Sequence, residues 1–123
     1  MDKKILIVDD SATVRQQVRT ALSGAGFEII EAADGVEGLE AIINRADVAA
    51  VVCDVNMPRM GGLEMLEMVN AKGKLPGLPI LMLTTEGQPA LVKQAKAAGA
   101  RGWIVKPFKS EVLLATVRKL TST

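Results

Sequence analysis

Residues 5–10 read Ile-Leu-Ile-Val-Asp-Asp, a short apolar run that ends in two carboxylates. Four similar runs follow along the chain, at residues 27–30, 49–53, 80–83 and 103–105. Short runs that are apolar almost throughout are typical of strands buried on both faces of a parallel sheet. Glu28 interrupts the second run, which therefore predicts a more exposed strand.

Segments with helical spacing separate these runs and follow the last one. Their apolar stripes include Val14, Val18 and Leu22; Leu39 and Ile42; Leu63, Leu66 and Val69; Leu91 and Ala95; Leu113 and Val117. Asp34 and Glu37 have the spacing of a capping box, and Pro89 suits the first turn of a helix. The order predicts an α/β fold of the (βα)5 type, a doubly wound three-layer sandwich with helices on both faces of a parallel sheet. These patterns leave the strand order open.

Length and composition restrict the function. The chain has 123 residues, which predicts a single domain over residues 1–123. Only three residues are aromatic, which argues against a base-stacking nucleic-acid surface. No apolar run is long enough for a membrane span, and no histidine is present for a catalytic triad. The lone Cys53 predicts an inert core residue in a reducing, cytoplasmic compartment.

The charge is unevenly distributed although the formal net charge is only +1. Residues 1–87 carry 13 acidic and 8 basic side chains, whereas residues 88–123 carry 7 basic side chains and a single acidic one, Glu111. The first part therefore suits cations, and the second suits acidic partners.

The predicted strands end in chemically reactive side chains. Asp9 and Asp10 follow the first strand and Asp54 the third; Thr84 and Thr85 follow the fourth and Lys106 the fifth. Ligands of open α/β sheets bind beyond the carboxyl ends of the strands, so these groups should meet at one rim. Clustered carboxylates repel one another unless a cation such as Mg²⁺ neutralises them. A carboxylate beside a metal ion and an ammonium group can accept a phosphoryl group.

Four sequence stretches carry a specific resemblance. Ile-Leu-Ile-Val-Asp-Asp-Ser (5–11), Cys-Asp-Val-Asn-Met-Pro-Arg-Met-Gly-Gly (53–62), Leu-Thr-Thr-Glu (83–86) and Val-Lys-Pro-Phe (105–108) resemble the motifs of two-component response-regulator receiver domains. The resemblance covers essentially the whole chain and is greatest to the single-domain chemotaxis type. It implies a flavodoxin-like sheet of order 2-1-3-4-5.

The resemblance implies roles for the acidic residues. Asp54 matches the phosphoacceptor, and Asp9 and Asp10 match the acidic metal-binding pair. Asp10, Asp54 and the backbone carbonyl of Asn56 would bind Mg²⁺ directly, with Asp9 acting through water; Mn²⁺ is an acceptable substitute. Lys106 matches the lysine that contacts the phosphoryl group.

The remaining roles concern the response to phosphorylation. The strand register favours Thr84 over Thr85 as the switch hydroxyl. Asn56 and Glu86 match the positions that tune dephosphorylation. Trp103 stands where the family usually has a rotating Tyr or Phe, so the larger ring leaves its inward pose open.

The expected function is that of a signalling phosphoacceptor rather than an enzyme with turnover. A histidine kinase would phosphorylate Asp54, and a downstream protein, such as a flagellar motor switch component, would bind the surface formed by the fourth helix, fifth strand and fifth helix. Lys93 and Lys96 are expected on that surface. A phosphatase is a further candidate partner, whereas nucleic acid and membrane insertion are not expected.

Three alternatives remain. The chain could be a receiver domain cut from a larger response regulator or hybrid kinase. It could be an aspartate-nucleophile phosphatase, although Asn56 stands where such an enzyme would need an acid. It could also be an interaction module that works without phosphorylation, against which the intact acidic set and Lys106 argue.

Overall fold

A computed structural model describes residues 3–73, 77–85 and 89–121. Along these residues five strands alternate with five helices, as the sequence predicts. The strands are β1 (Lys3–Val8), β2 (Phe27–Ala32), β3 (Val48–Cys53), β4 (Ile80–Thr84) and β5 (Gly102–Val105). The helices are α1 (Ala12–Ser23), α2 (Gly35–Asn44), α3 (Gly62–Ala71), α4 (Pro89–Ala97) and α5 (Ser110–Thr121).

The five strands form one parallel sheet in the order β2-β1-β3-β4-β5. This confirms the strand order that the family resemblance implied. In the register of the sheet, Val8 lies opposite both Ala32 and Cys53, and Thr84 lies opposite Val105. The carboxyl ends of the strands therefore lie along one rim.

Alternate strand residues pack against different helices, as the pleat of a strand requires. Ile5, Ile7 and Val52 belong to a core that also contains buried residues of α1 and α5. Leu6 and Cys53 belong to a second core that includes buried residues of α2, α3 and α4. Helices thus cover both faces, which explains why the central strands are apolar almost throughout. Cys53 is fully buried, as predicted.

Local sequence signals explain the helix ends. The carboxylate of Asp34 accepts the N–H of Glu37 at 2.9 Å and caps α2, as the sequence predicts. The Glu37 carboxylate accepts the N–H of Ala33 at 3.0 Å, one residue before the N–H that a complete capping box would use. Pro89 begins α4, and Gly99 follows that helix with a φ of 109°. None of the helices in the described ranges is long and apolar enough to cross a lipid bilayer.

Two strands are two residues longer than the apolar runs predict, and the other three are longer by one residue. β1 begins at Lys3 rather than Ile5, because Lys3 and Lys4 pair with β2 although their side chains are polar. β2 continues to Ala32 instead of ending at residue 30. β2 is an edge strand with exposed Glu28 and Glu31, which hide its length from a search for apolar runs.

Candidate phosphoacceptor site

Backbone hydrogen bonds hold three predicted site residues just beyond the strands. The Asp9 N–H donates to the Ala32 carbonyl oxygen at 3.1 Å, and the Asp54 N–H donates to that of Val8 at 2.9 Å. The Lys106 N–H donates to the Thr84 carbonyl oxygen at 2.7 Å. Each bond connects one strand end to its neighbour in the sheet. The backbones of these residues are thus fixed by the sheet itself.

The structure brings together the three carboxylates that the sequence predicted. One oxygen from each of Asp9, Asp10 and Asp54 lies within 4.8 Å of the others. Asp9 is completely buried and Asp54 is only 7% exposed, whereas Asp10 is exposed. The cluster therefore opens to solvent on the side of Asp10.

Lys106 reaches the same cluster from the end of β5. Its Nζ donates to Asp9 Oδ2 at 2.8 Å and lies 3.6 Å from Asp54 Oδ1. The other oxygen of Asp9, Oδ1, accepts the N–H of Ser11 at 2.9 Å. Both oxygens of Asp9 thus have protein partners. Of the two carboxylates near Lys106, the closer one is that of Asp9 and not that of the predicted phosphoacceptor Asp54.

The surroundings of Asp54 disfavour its negative charge. Burial raises the pKa of Asp54, and the nearby charge of Asp9 raises it further. The Lys106 ammonium and the N–H of Val55, which donates to Asp54 Oδ1 at 2.8 Å, act in the opposite direction. A bound cation would add a strong attraction for the ionised form.

The donor set fits a hard divalent cation. Carboxylate and carbonyl oxygens are the ligands that Mg²⁺ prefers, and it usually retains several water molecules. The cluster supplies carboxylates on one open side, and Asn56 is an exposed residue two positions after Asp54. These residues can hold Mg²⁺ without a histidine or cysteine ligand.

The residues predicted to respond to phosphorylation are only partly described. Thr84 is fully buried at the end of β4, whereas Thr85 is exposed. Trp103 pairs with Met82 in the sheet and packs against the core on the α2–α3–α4 side. Its Nε1 is buried and has no hydrogen-bond partner within the part of the chain that the structure describes. Glu86 lies outside the described residues.

Apart from Lys106, the basic residues of the C-terminal third are exposed. They are Lys93, Lys96, Arg101, Lys109, Arg118 and Lys119. Among the described residues none of them forms an ion pair, whereas Arg15, Arg19, Arg45 and Arg59 all do. The charge asymmetry of the sequence therefore appears as uncompensated surface charge.

Sequence reasoning missed one contact of Asp9. Nη1 of Arg15 donates to the backbone carbonyl of Asp9, and Nε of the same side chain donates to Glu31 at 2.9 Å. Arg15 thus connects the acidic turn to the edge strand β2. Helical periodicity placed Arg15 only on the polar side of α1, and nothing in that pattern distinguishes it from the neighbouring exposed residues.

A five-stranded parallel sheet with an acidic cluster and a lysine at its carboxyl rim is the arrangement expected of a phosphoacceptor domain. Residues 5–118 match the family described as "Response regulator receiver domain", and the chain belongs to this family. Its members are signalling phosphoacceptors that bind Mg²⁺ at an acidic pocket.

The particular relatives are chemotaxis regulators. The chain is 43% identical over 111 residues to chemotaxis protein CheY1 of Helicobacter pylori, covering 89% of this chain and 90% of that protein. It is 42% identical to the CheY homologue of Campylobacter jejuni, covering 89% and 85%, respectively. The solved structure of Vibrio cholerae CheY4 superposes with a TM-score of 0.89 at 42% identity, covering 98% of this chain and 99% of that one. The chain is thus a receiver domain homologous to CheY chemotaxis regulators.

Proposed function

We propose that this chain is a phosphoacceptor response regulator in a two-component phosphorelay, with Asp54 as the acceptor and chemotaxis or motility control as its pathway. The observation that carries the proposal is the meeting of three carboxylates and one ammonium group at the sheet rim. Homology to chemotaxis regulators supports the pathway. We also propose a single receiver domain over residues 1–123 and a cytoplasmic location, since Cys53 is buried and unpaired.

The proposed reaction is an in-line phosphoryl transfer. A carboxylate oxygen of Asp54 attacks the phosphorus of a phosphohistidine on the kinase, an O–P bond forms, and the P–N bond breaks with its electron pair returning to the imidazole. Asp10, Asp54 and the Asn56 carbonyl would hold Mg²⁺, or Mn²⁺ in its place, with Asp9 contributing through water. When bound, the ion supplies positive charge against the carboxylates and the phosphoryl oxygens.

Lys106 and Thr84 provide the response. Lys106 lies 3.6 Å from Asp54 Oδ1, so a new phosphoryl group on Asp54 competes with Asp9 for the ammonium group. The Thr84 hydroxyl donates to a phosphoryl oxygen. Because Lys106 N–H is bonded to the Thr84 carbonyl at 2.7 Å, the ends of β4 and β5 respond together. Asn56 and Glu86 tune the return to the unphosphorylated state.

The output surface is formed by α4, β5 and α5. Its exposed basic residues lack ion-pair partners among the described residues, and they include Lys93 and Lys96 on α4. Such a surface attracts an acidic partner and accelerates its association. A flagellar motor switch component is the proposed partner, and Trp103 in β5 is positioned to report its engagement through tryptophan emission.

The test uses a small phosphodonor, so that no partner protein is needed. The wild-type chain should gain one phosphoryl group in the presence of Mg²⁺, as measured by intact mass spectrometry, and should lose the labelling in EDTA. Asp54→Asn should remain unlabelled. Asp47→Asn, which makes the same chemical change at an exposed carboxylate, should be labelled like the wild type. Full labelling of Asp54→Asn would refute the assignment.

A further inference from the structure

Three contacts join the connection between β3 and α3 to the start of α2. One is an ion pair between Arg59 Nη2 and Glu37 Oε2 at 3.7 Å, and the other two are closer. Nε of Arg59 donates to Asp34 Oδ2 at 2.7 Å, and the N–H of Gly35 donates to the carbonyl oxygen of Met60 at 2.9 Å. A Cβ at Gly35 would lie only 2.5 Å from that same carbonyl oxygen. The loop therefore lies directly against the start of α2, with no room for a side chain between them.

Arg59 adopts a backbone conformation that its side chain disfavours. Its φ is 63°, and no other non-glycine residue among those described has a positive φ. The left-handed region is costly for an arginine, so surrounding contacts must hold it there. The contacts at this residue are the ion pairs with Asp34 at 2.7 Å and Glu37 at 3.7 Å, and the Met60 N–H, which donates across it to the Pro58 carbonyl oxygen at 2.7 Å. The pair with Asp34 is the closer of the two ion pairs.

Asp34 is well placed to hold the loop. Its side chain is only 7% exposed, and Oδ1 caps α2 by accepting the N–H of Glu37. The Arg59 guanidinium, followed by that N–H, keeps the pKa of Asp34 below its usual range, so the carboxylate stays ionised at neutral pH. One buried carboxylate thus joins the end of a helix to a strained residue of the loop.

The same loop carries a proposed metal ligand. It leaves the sheet at Asp54, and the N–H of Gly62 closes its base by donating to the carbonyl oxygen of Val55 at 2.9 Å. Asn56 lies between this closing bond and Arg59. The stretch that contains Asn56 is therefore anchored at Val55 on one side and at Arg59 on the other.

We propose that Asp34 and Arg59 are positioning residues for the cation site: their ion pair holds the β3–α3 loop so that the Asn56 carbonyl can bind Mg²⁺ together with Asp10 and Asp54. This inference rests on the proposed function, because it concerns the cation that phosphoryl transfer requires. Neither residue contacts the carboxylate cluster in the structure, so their effect passes through the backbone of the loop.

The test measures Mg²⁺ affinity by calorimetric titration with MgCl₂. Arg59→Ala should raise the Kd for Mg²⁺ about tenfold, the lower end of what loss of a group that orients metal ligands typically costs. Asp34→Asn should raise it to a similar extent, because its single amide oxygen can cap α2 or accept from Arg59 but cannot replace both carboxylate oxygens. The double variant should bind no more weakly than Arg59→Ala, since both changes break one interaction.

Two further variants separate positioning from general stability. Arg59→Gly also removes the ion pair but relieves the backbone strain, so it should melt at a higher temperature than Arg59→Ala while losing the same Mg²⁺ affinity. Arg45→Ala removes an exposed ion pair of similar geometry with Asp47, outside this loop, and should keep the wild-type Kd.

Each outcome decides the inference. Equal Mg²⁺ affinity in the wild type, Arg59→Ala and Asp34→Asn would overturn it and leave the proposed function standing. Recovery of affinity in Arg59→Gly in parallel with its melting temperature would also overturn it, because the ion pair would then act only on stability. A wild-type chain that binds no Mg²⁺ would overturn the inference and the proposed function together.

Discussion

Replacing Asp54, the proposed acceptor, by asparagine should stabilise the metal-free protein. The residue is nearly buried, lies within 4.8 Å of the carboxylates of Asp9 and Asp10, and has a raised pKa, all of which make its charge unfavourable in the folded state. Asparagine has almost the same shape and carries no charge. The change therefore removes the electrostatic cost and leaves the packing nearly intact.

The distances give the magnitude. At 4.8 Å, the upper limit on the separation of their oxygens, the repulsion between Asp54 and Asp9 is about 3.5 kcal/mol for an effective dielectric constant near 20, and a closer approach increases it. On the same scale the attraction to Lys106 at 3.6 Å is about 4.6 kcal/mol, so the two nearly cancel. What remains is the desolvation of the carboxylate and the repulsion from exposed Asp10, about 1 kcal/mol in water. We expect a gain of about 1–2 kcal/mol in the free energy of unfolding, or about 3–8 °C in Tm.

The assay is thermal and urea unfolding in EDTA and again with Mg²⁺. The ranking should invert in saturating Mg²⁺, because a ligand at a hundredfold excess over its Kd stabilises the wild type by about 2.7 kcal/mol. Asp47→Asn is the matched control, for which the expected change in stability has the opposite sign. Hydrogen bonds from Arg45 and Lys4 keep the pKa of Asp47 below its usual range, so this variant should be destabilised.

The pH dependence supplies a second check. Because the pKa of Asp54 is raised on folding, the native state binds its proton more tightly than the unfolded chain does. In EDTA the cost of its charge is fully present at neutral pH and disappears as the pH falls through the native pKa towards the ordinary value of 3.8. The stability advantage of Asp54→Asn should shrink over that range. A variant less stable than the wild type in EDTA, or an advantage that grows on acidification, would refute the reasoning.

Three further predictions test other parts of the structure. Lys106→Met should slow labelling by a small phosphodonor about a hundredfold, as loss of one charge-stabilising donor typically does; an unchanged initial rate would remove this lysine from the reaction. Reversing charge with Lys93→Glu and Lys96→Glu should weaken binding of the output partner about tenfold without slowing labelling, measured at several salt concentrations; unaltered binding would place the output surface elsewhere. Gly62→Ala should destabilise the fold by about 3 kcal/mol, because its Cβ would lie 1.9 Å from the carbonyl oxygen of Asp54. The control Gly24→Ala, whose Cβ would have no atom within 4 Å, should melt like the wild type.

The sequence predicted the positions of the acidic residues because apolar runs mark the central strands clearly. Ile5 to Val8 and Val51 to Cys53 are buried on both faces, so their apolar runs end where the backbone leaves the sheet, and Asp9 and Asp54 follow at once. Strand order had no such local signal. The order of the strands depends on which face of the sheet each helix covers. It was predicted only from the family resemblance.

Two features of the site could not be predicted from residue patterns. Whether Lys106 pairs with Asp9 or Asp54 depends on differences of less than 1 Å between side chains from three strands, and the structure gives 2.8 Å and 3.6 Å. The contact of Arg59 with Asp34 joins residues 25 positions apart through a loop with a left-handed residue. The capping box predicted Asp34 correctly, but only as a helix cap.

The short contact between Lys106 and Asp9 bears directly on how such a site can act as a switch. Asp9 is fully buried, and removing its ammonium partner would leave an uncompensated buried charge, a change that typically costs about 3–5 kcal/mol. The ammonium group therefore stabilises the fold before any phosphoryl group arrives. A phosphoryl group on Asp54 places new negative oxygens beside the same ammonium, and a cation at Asp10 reduces the dependence of the cluster on it. If Asp54 is the acceptor, a shift of Lys106 from Asp9 towards the phosphoryl group therefore costs less with the cation bound than without it.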